Sequence, residues 1–409
     1  MKKAYLCKSG LELRIYTDKL SEMIPRIIAQ ELHTQLNEFP IVTVLGPRQA
    51  GKTTLAKMEL PDFDYVSLED PETRAIANED PRALLKRHSN KTIFDEIQRA
   101  PHLLSYLQTI VDNSRTNGQF VLTGSHQLEL RQAISQSLAG RTGILYLLPL
   151  SIPELKNAGN KLESFEDYLF RGFLPRVHSQ NQRPATAYAS YYQTYVERDV
   201  RQLIQLKDAS LFEKFMKLMA GRIGQLINYQ SLGNDVGADA KTIKQWLSIL
   251  EASFIVFKLP PYFENFGKRV IKSPKYYFVD PGLACHLLDI ERPEQITRDP
   301  LVGQLFENLV VLEVLKARAN QGLKPNLYFF RDSHGNEIDL LYRSGRDLYA
   351  VEIKSSSTYH AAFKKGLQHF EDKVARLARK TIVYGGANRQ FTDGTELIRY
   401  DESASILHS

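Results

Sequence analysis

The chain has 409 residues, 43% hydrophobic and 24% charged, a balance that excludes collagen-like, mucin-like and largely disordered chains and leaves room for about two to four domains. A formal charge of +6 and a pI near 9.0 suit a polyanionic partner without identifying one. No apolar run nears the roughly 18–20 residues of a membrane span, no apolar core follows Lys2 and Lys3 to make a signal peptide, and Cys7 and Cys285 are too few for a disulfide framework or cysteine-rich zinc site, so a cytoplasmic protein with no membrane partner is expected.

Residues 1–20 read as an N-terminal extension. In 21–150, short apolar runs alternate with helical stretches: Ile41–Leu45, Asp64–Leu68, Thr92–Asp95, Gln119–Thr123 and Ile144–Leu148. Buried strands separated by helices predict a parallel α/β sheet. From 151 to 206 the pattern is helical and rich in Tyr and Phe, broken by the polar stretch Ser179–Ala185. A compact region over 207–285 combines helices with aromatic strands. The remainder, 286–409, opens on a helix and continues into a second set of strands.

The first strand runs directly into Gly46-Pro47-Arg48-Gln49-Ala50-Gly51-Lys52-Thr53, followed by Thr54. This is the spacing of a phosphate-binding loop between a strand and a helix. Its glycines let backbone N–H groups curl around a phosphate, and the helix start adds a positive end. ATP is the expected ligand. Lys52 would reach its β- and γ-phosphates and Thr53 would ligate Mg²⁺. The strand Thr92–Asp95 ends in two acids: Asp95 would hold Mg²⁺ through its water shell, and Glu96 would polarise the attacking water. Gln119–Thr123 ends in small polar residues, so Thr123 and Ser125 compete to sense the γ-phosphate, with Ser125 slightly favoured.

The segments GPRQAGKTT, FDEIQ, LTGSHQ and Ser137–Arg141, with YVERDV, KYYFVDPGLA, FFRDSHGNEIDLL and VEIKSS further on, resemble the AAA-type ATPases of bacteria and archaea that carry a C-terminal domain of unknown function. The resemblance spans about Pro25 to Gly386. It implies nucleotide hydrolysis by an AAA core with a helical lid over 151–206, completed between subunits of a homo-oligomer, with a ring among the arrangements expected. An arginine of one protomer then reaches the γ-phosphate of its neighbour. Arg141 is the expected position, and Arg171, Arg176 and Arg198 are rivals for trans or lid roles.

In 207–285, Ile243, Trp246, Leu247 and Leu250 make one apolar helix face opposite Lys241, Lys244 and Gln245, and strands with Lys268, Arg269 and Lys272 between them follow. Helices and then a basic hairpin is the order of a winged helix, which serves either DNA contact or domain packing. In 286–409, Asp339 on one strand and Glu352-x-Lys354 on the next follow the pattern of restriction-endonuclease-like PD-(D/E)xK folds, in which carboxylates hold a divalent metal. Glu307 on the preceding helix matches a further carboxylate, and Gln368 is placed to line the site. The expectation is an α/β protein: an AAA-type P-loop sheet with helical lid, a winged helix and a restriction-endonuclease-like domain. Its function would be Mg²⁺-dependent ATP turnover that drives or gates a DNA-bound assembly. The alternatives are a switch whose C-terminal domains bind a protein partner, or an ATP-regulated nuclease.

Overall fold

The strand Ile41–Leu45 (β1) is buried along its whole length, which requires a layer on each side. One side holds Val42 and Val44 with Ile28, Leu32 and Leu36, three apolar residues at helical spacing at and in the helix Ala29–Glu38. The other side holds Ile41 and Leu45 with Leu103, Leu104 and Leu107 from the helix Leu103–Ser114. A strand covered on both faces reads as an unbroken apolar run, the mark of a parallel sheet in an α/β layer. The computed structural model describes residues 23–125, 130, 133–134, 136–206, 208–262, 273–374 and 377–407. The expected extension 1–20 and the expected wing residues Lys268, Arg269 and Lys272 lie outside them.

The first sheet adds β2 (Asp64–Ser67), β3 (Thr92–Asp95), β4 (Phe120–Gly124) and β5 (Thr142–Tyr146) in the order β2-β3-β4-β1-β5, every pair parallel. All strands therefore point their C-terminal ends the same way. The order sets β4 between β1 and β3, so the loop after β1 and the acids after β3 face each other across the end of β4.

Helices follow from Ile152 to Ile204, including a wide-turned π-helical run, Tyr192–Val200. In the middle region Asp208, Asn228 and Asp239 each accept backbone N–H groups at the start of the helices Ala209–Ala220, Tyr229–Val236 and Ala240–Ala252. The last helix buries Ile243, Trp246, Leu247 and Leu250, as the spacing requires, and leaves Lys241, Lys244 and Gln245 exposed. The antiparallel pair β6 (Val256–Leu259) and β7 (Lys275–Phe278) comes next.

The long helix Val302–Asn320 leads to a six-stranded sheet of β8 (Leu327–Arg331), β9 (Glu337–Ser344), β10 (Asp347–Lys354), β11 (Leu377–Tyr384), β12 (Arg389–Gln390) and β13 (Thr395–Arg399), ordered β12-β13-β11-β10-β9-β8. β10, β11 and β13 run parallel, while β8–β9–β10 is an antiparallel meander. The parts are fused rather than strung together. Glu313 and Lys316 of the long helix pair at 2.8 Å with 1% of each side chain exposed, and Glu313 accepts the Ile152 N–H at 2.8 Å. The buried lysine compensates the Glu313 charge, and the Ile152 bond ties the long helix to the start of the helix Ile152–Asn157. The residues just after β6 join the second sheet through their backbone: Tyr262 N–H donates to the Phe329 carbonyl at 2.7 Å, and Phe329 N–H to that of Pro260 at 3.1 Å.

Candidate functional site: a nucleotide pocket and a carboxylate–lysine cluster

The loop after β1 is shaped by backbone geometry. Gly51 has φ 91° as it opens the helix Lys52–Glu59, a left-handed conformation that favours glycine. Gly46 lies so close to the next strand's exit that a Cβ there would sit 2.0 Å from the Leu147 carbonyl oxygen. The Lys52 amine donates to the carbonyls of Gly46 and Pro47 at 3.0 and 2.9 Å. Burial pushes this amine below the ordinary lysine range against the opposing pull of Glu96 and Asp95. An anion arriving at the loop would therefore replace weak carbonyl partners with a charged one.

Behind the lysine a row of hydrogen bonds crosses three strands. Thr53 Oγ1 donates to Asp95 at 2.9 Å, the Tyr65 hydroxyl donates to Asp95 at 2.8 Å, and Thr123 Oγ1 donates to the same carboxylate. Burial, with Asp95 second, raises the Tyr65 hydroxyl above the ordinary phenol range, which keeps it a donor. Glu96 turns the chain at φ 57° and gives its N–H to Thr123 Oγ1 at 3.1 Å. Its carboxylate accepts from Ser125 Oγ at 3.0 Å and from Gln98 Nε2. Thr123 and Ser125 thus have separate places, Thr123 at the aspartate and Ser125 at the glutamate.

These groups border a cavity of about 680 Å³ lined by Arg48, Gln49, Ala50, Gly51, Lys52, Thr53, Thr54 and Glu96. Gly46 and Pro47 stand behind it, with Lys52 bonded to their carbonyls. The site suits a nucleoside triphosphate with its Mg²⁺: a glycine cradle where a Cβ would clash, a hydroxyl beside a buried carboxylate, and a buried Arg48 Nε with no hydrogen-bond partner among the described residues.

Other arginines reach the same cavity, only some of them at positions the sequence pattern marks. Arg176 and Arg198 line it from the helical segment, whereas Arg171 bonds Asn181 at 3.2 Å instead. Asp199 of the π-helical run pairs with Arg48 at 3.1 Å. Arg26, which no motif marks, binds the Ala50 carbonyl at 2.7 Å and Glu154 at 3.0 Å and so ties the loop to the start of the helical segment. Arg141 lies elsewhere. It chelates Asp112 at 2.6 and 2.9 Å just before β5, whose first residue Thr142 pairs with Ile41 at the start of β1. Strand β1 spans about 13 Å, so Arg141 sits at the opposite end of the sheet from its own loop.

The C-terminal acids converge. Lys354 reaches Asp339 at 3.1 Å and Glu352 at 2.8 Å, and Asp339 also accepts the Ile353 N–H at 2.8 Å. Glu307 is drawn instead to Lys275 of β7 at 2.8 Å and to the Tyr277 hydroxyl, and Lys275 also pairs with Glu337. Burial, reinforced by Asp339, raises the Glu352 carboxyl well above the usual carboxylate range. Burial also opposes ionisation of Asp339, but Lys354 and Lys275 hold that carboxyl below it. Lys275, Glu307, Asp339 and Lys354 line a second cavity here; Gln368 is exposed and does not line it, and Gly366, two residues earlier, is the helix residue beside Glu352, where a Cβ would lie 2.0 Å from the carboxylate. Among the described residues no group of three or more His, Cys, Asp or Glu side chains is gathered as metal ligands. With their oxygens committed to lysines, Glu307, Asp339 and Glu352 do not fit a divalent metal in this arrangement.

Among the described residues no helix is long and apolar enough to cross a membrane. A profile described as AAA domain matches residues 38–156, one described as Domain of unknown function (DUF8612) matches 162–294, and one described as Domain of unknown function (DUF4143) matches 302–402. An uncharacterized protein of Mycobacterium tuberculosis is 31% identical over 386 residues, covering 92% of this chain and 84% of its own. An uncharacterized protein of Haemophilus influenzae is 25% identical, covering 75% of each chain. Among solved structures, the Walker-type ATPase of Pyrococcus abyssi overlaps 64% of this chain and 94% of its own at TM-score 0.39 and 16% identity. The AMPPCP-bound DnaA of Aquifex aeolicus overlaps 60% and 89% at TM-score 0.27 and 15% identity. The phosphate loop on its parallel sheet and the near full-length mycobacterial match together show that this chain belongs to the family of AAA-type ATPase-domain proteins that end in the domain of unknown function DUF4143.

Proposed function

We propose that this protein hydrolyses ATP at the loop Gly46–Thr54 and uses the cycle to control how its middle and C-terminal regions engage DNA. The observation that carries the ATPase half is the hydrogen-bonded row Thr53–Asp95–Thr123 with Glu96 beside it, facing the cavity that Lys52 lines. The Lys52 amine neutralises the β/γ-phosphates. Glu96, freed from Gln98 and oriented by Ser125, accepts the proton of the water that attacks the γ-phosphorus as the bond from that phosphorus to the β–γ bridging oxygen breaks and ADP leaves. The Thr53 hydroxyl and Asp95 would hold Mg²⁺, which supplies charge neutralisation at the phosphates. Arg141 acts on a neighbouring protomer, since its position excludes its own pocket, and the active form is a homo-oligomer.

Three capped helices and an antiparallel pair, with Lys241, Lys244 and Gln245 exposed on the last helix, support a winged-helix reading of 207–285. The exposed row would lie against phosphates and base edges. The C-terminal sheet, with Asp339, Glu352 and Lys354 on adjacent strands, is read as restriction-endonuclease-like and as a DNA-holding module. ATP turnover measured with and without duplex, single-stranded and branched DNA tests this. Stimulation by at least one form, weakened by charge reversal at Lys241 and Lys244, is expected. Turnover indifferent to every form would favour a switch that acts on a protein partner.

A further inference from the structure

The carboxylate cluster of the C-terminal region is completed by a residue from outside that region. Lys275 opens β7 in the middle region and inserts its side chain, 4% exposed, between Glu307 and Glu337. The hairpin that carries it is anchored on both flanks. Leu226 bridges to Lys275 on one side, and the backbone bonds of Pro260 and Tyr262 with Phe329 of β8 hold the other. Every acid of the cluster already has a cationic partner: Lys275 pairs with Glu307 and Glu337, Arg331 also pairs with Glu337, and Lys354 pairs with Asp339 and Glu352. A divalent cation entering here would have to displace the buried Lys275 ammonium from Glu307 and Glu337 and the partly exposed Lys354 from Asp339 and Glu352, and leaving the buried lysine unpaired is strongly unfavourable.

We infer that the Lys275 ammonium is the resident cation of this site: while the β6–β7 hairpin is docked, it excludes a divalent metal and holds the C-terminal domain in a non-cleaving state. The inference deepens the nuclease-like reading of that domain and rests on it. Undocking of the hairpin would withdraw the lysine and expose Glu307, Asp339 and Glu352 together. The middle region thereby becomes the element that decides whether the C-terminal acids act as ion-pair partners or as metal ligands.

The test is Mn²⁺ binding by the full-length, nucleotide-free protein, followed by electron paramagnetic resonance. Nucleotide is omitted so that the loop Gly46–Thr54 offers no competing metal site. Wild type and Lys275→Arg should show no Mn²⁺ site that depends on Asp339. Lys275→Met should gain one, with at least a tenfold rise in affinity that Asp339→Asn removes. Because Lys275→Met deprives Glu307 and Glu337 of their shared lysine, Lys275→Met with Glu337→Gln is measured beside it; that pair removes one charge of each sign and keeps Glu307, Asp339 and Glu352. Wild type binding Mn²⁺ through Asp339 would overturn the inference and leave the nuclease-like reading standing. A folded double variant that hydrolyses ATP normally and gains no Mn²⁺ site would overturn both.

Discussion

At the scale of single residues, the nucleotide pocket is bordered by groups that hold their states by burial. His178 illustrates this. It sits in the helix Pro175–Ser179, whose Pro175, Arg176 and Ser179 line the cavity, and its ring Nε2 lies 2.8 Å from the Gly172 carbonyl. Burial depresses the imidazole from 6.5 to about 4. The sign follows from linkage: between these values the unfolded chain binds the proton and the folded chain does not, so stability is fully present above about pH 6.5 and is lost as pH falls toward 4. The loss amounts to about 3 kcal/mol at most. His178→Gln should be less stable than wild type at pH 7.5 and should lose less on acidification to pH 4.5, as read by thermal melts at both pH values. Parallel losses in the two proteins would remove His178 as the cause.

At the scale of elements, the strands were the most legible part of the sequence, because a parallel sheet covered on both faces needs short, wholly apolar runs. β1 and β3 fall where Ile41–Leu45 and Thr92–Asp95 were read, and β9 and β10 bring Asp339 beside Glu352 as adjacent strands must. Spacing fails where a site is built by residues distant in the chain. Arg26 meets Glu154 across 128 positions and Lys275 meets Glu307 across 32, and neither pair carries a local pattern. Gln368 failed for a reason of phase: the helix presents Gly366 to Glu352, and two residues further on is roughly 200° round the axis. The π-helical run was unreadable because its wider turn shifts the phase that places Arg198 and Asp199 at the nucleotide pocket. The loop element makes a sharp prediction. Gly46→Ala puts a methyl group against a backbone carbonyl that cannot rotate away, 2.0 Å distant. It should cost about 1–3 kcal/mol of stability and weaken ATP binding at least tenfold, measured by denaturant titration and nucleotide fluorescence. An unchanged affinity would show that the loop does not have the tight packing described.

At the scale of the whole molecule, buried polar contacts join regions that would otherwise be separate domains: the Ile152 N–H donates to Glu313, and Lys275 pairs with Glu307. The proposed hydrolysis at the loop would therefore be connected through the fold to the elements proposed to engage DNA. The position of Arg141 extends the argument beyond one chain. Arg141→Ala should reduce turnover by about 10³-fold without weakening nucleotide binding, and mixing it with Lys52→Ala protein should restore part of the activity at mixed interfaces. No recovery on mixing, together with a protein that stays monomeric in ATP by light scattering, would remove the trans role. The central claim, an ATP-hydrolysing site that answers to DNA, is tested most directly by steady-state ATP turnover of wild type, Lys52→Ala and Glu96→Gln with and without DNA. The account predicts Mg²⁺-dependent turnover that DNA accelerates in wild type, none in Lys52→Ala, and a roughly 10²-fold or greater loss in Glu96→Gln with ATP still bound. Glu96→Gln turning over at the wild-type rate, or wild type that binds ATP and never hydrolyses it, would contradict it.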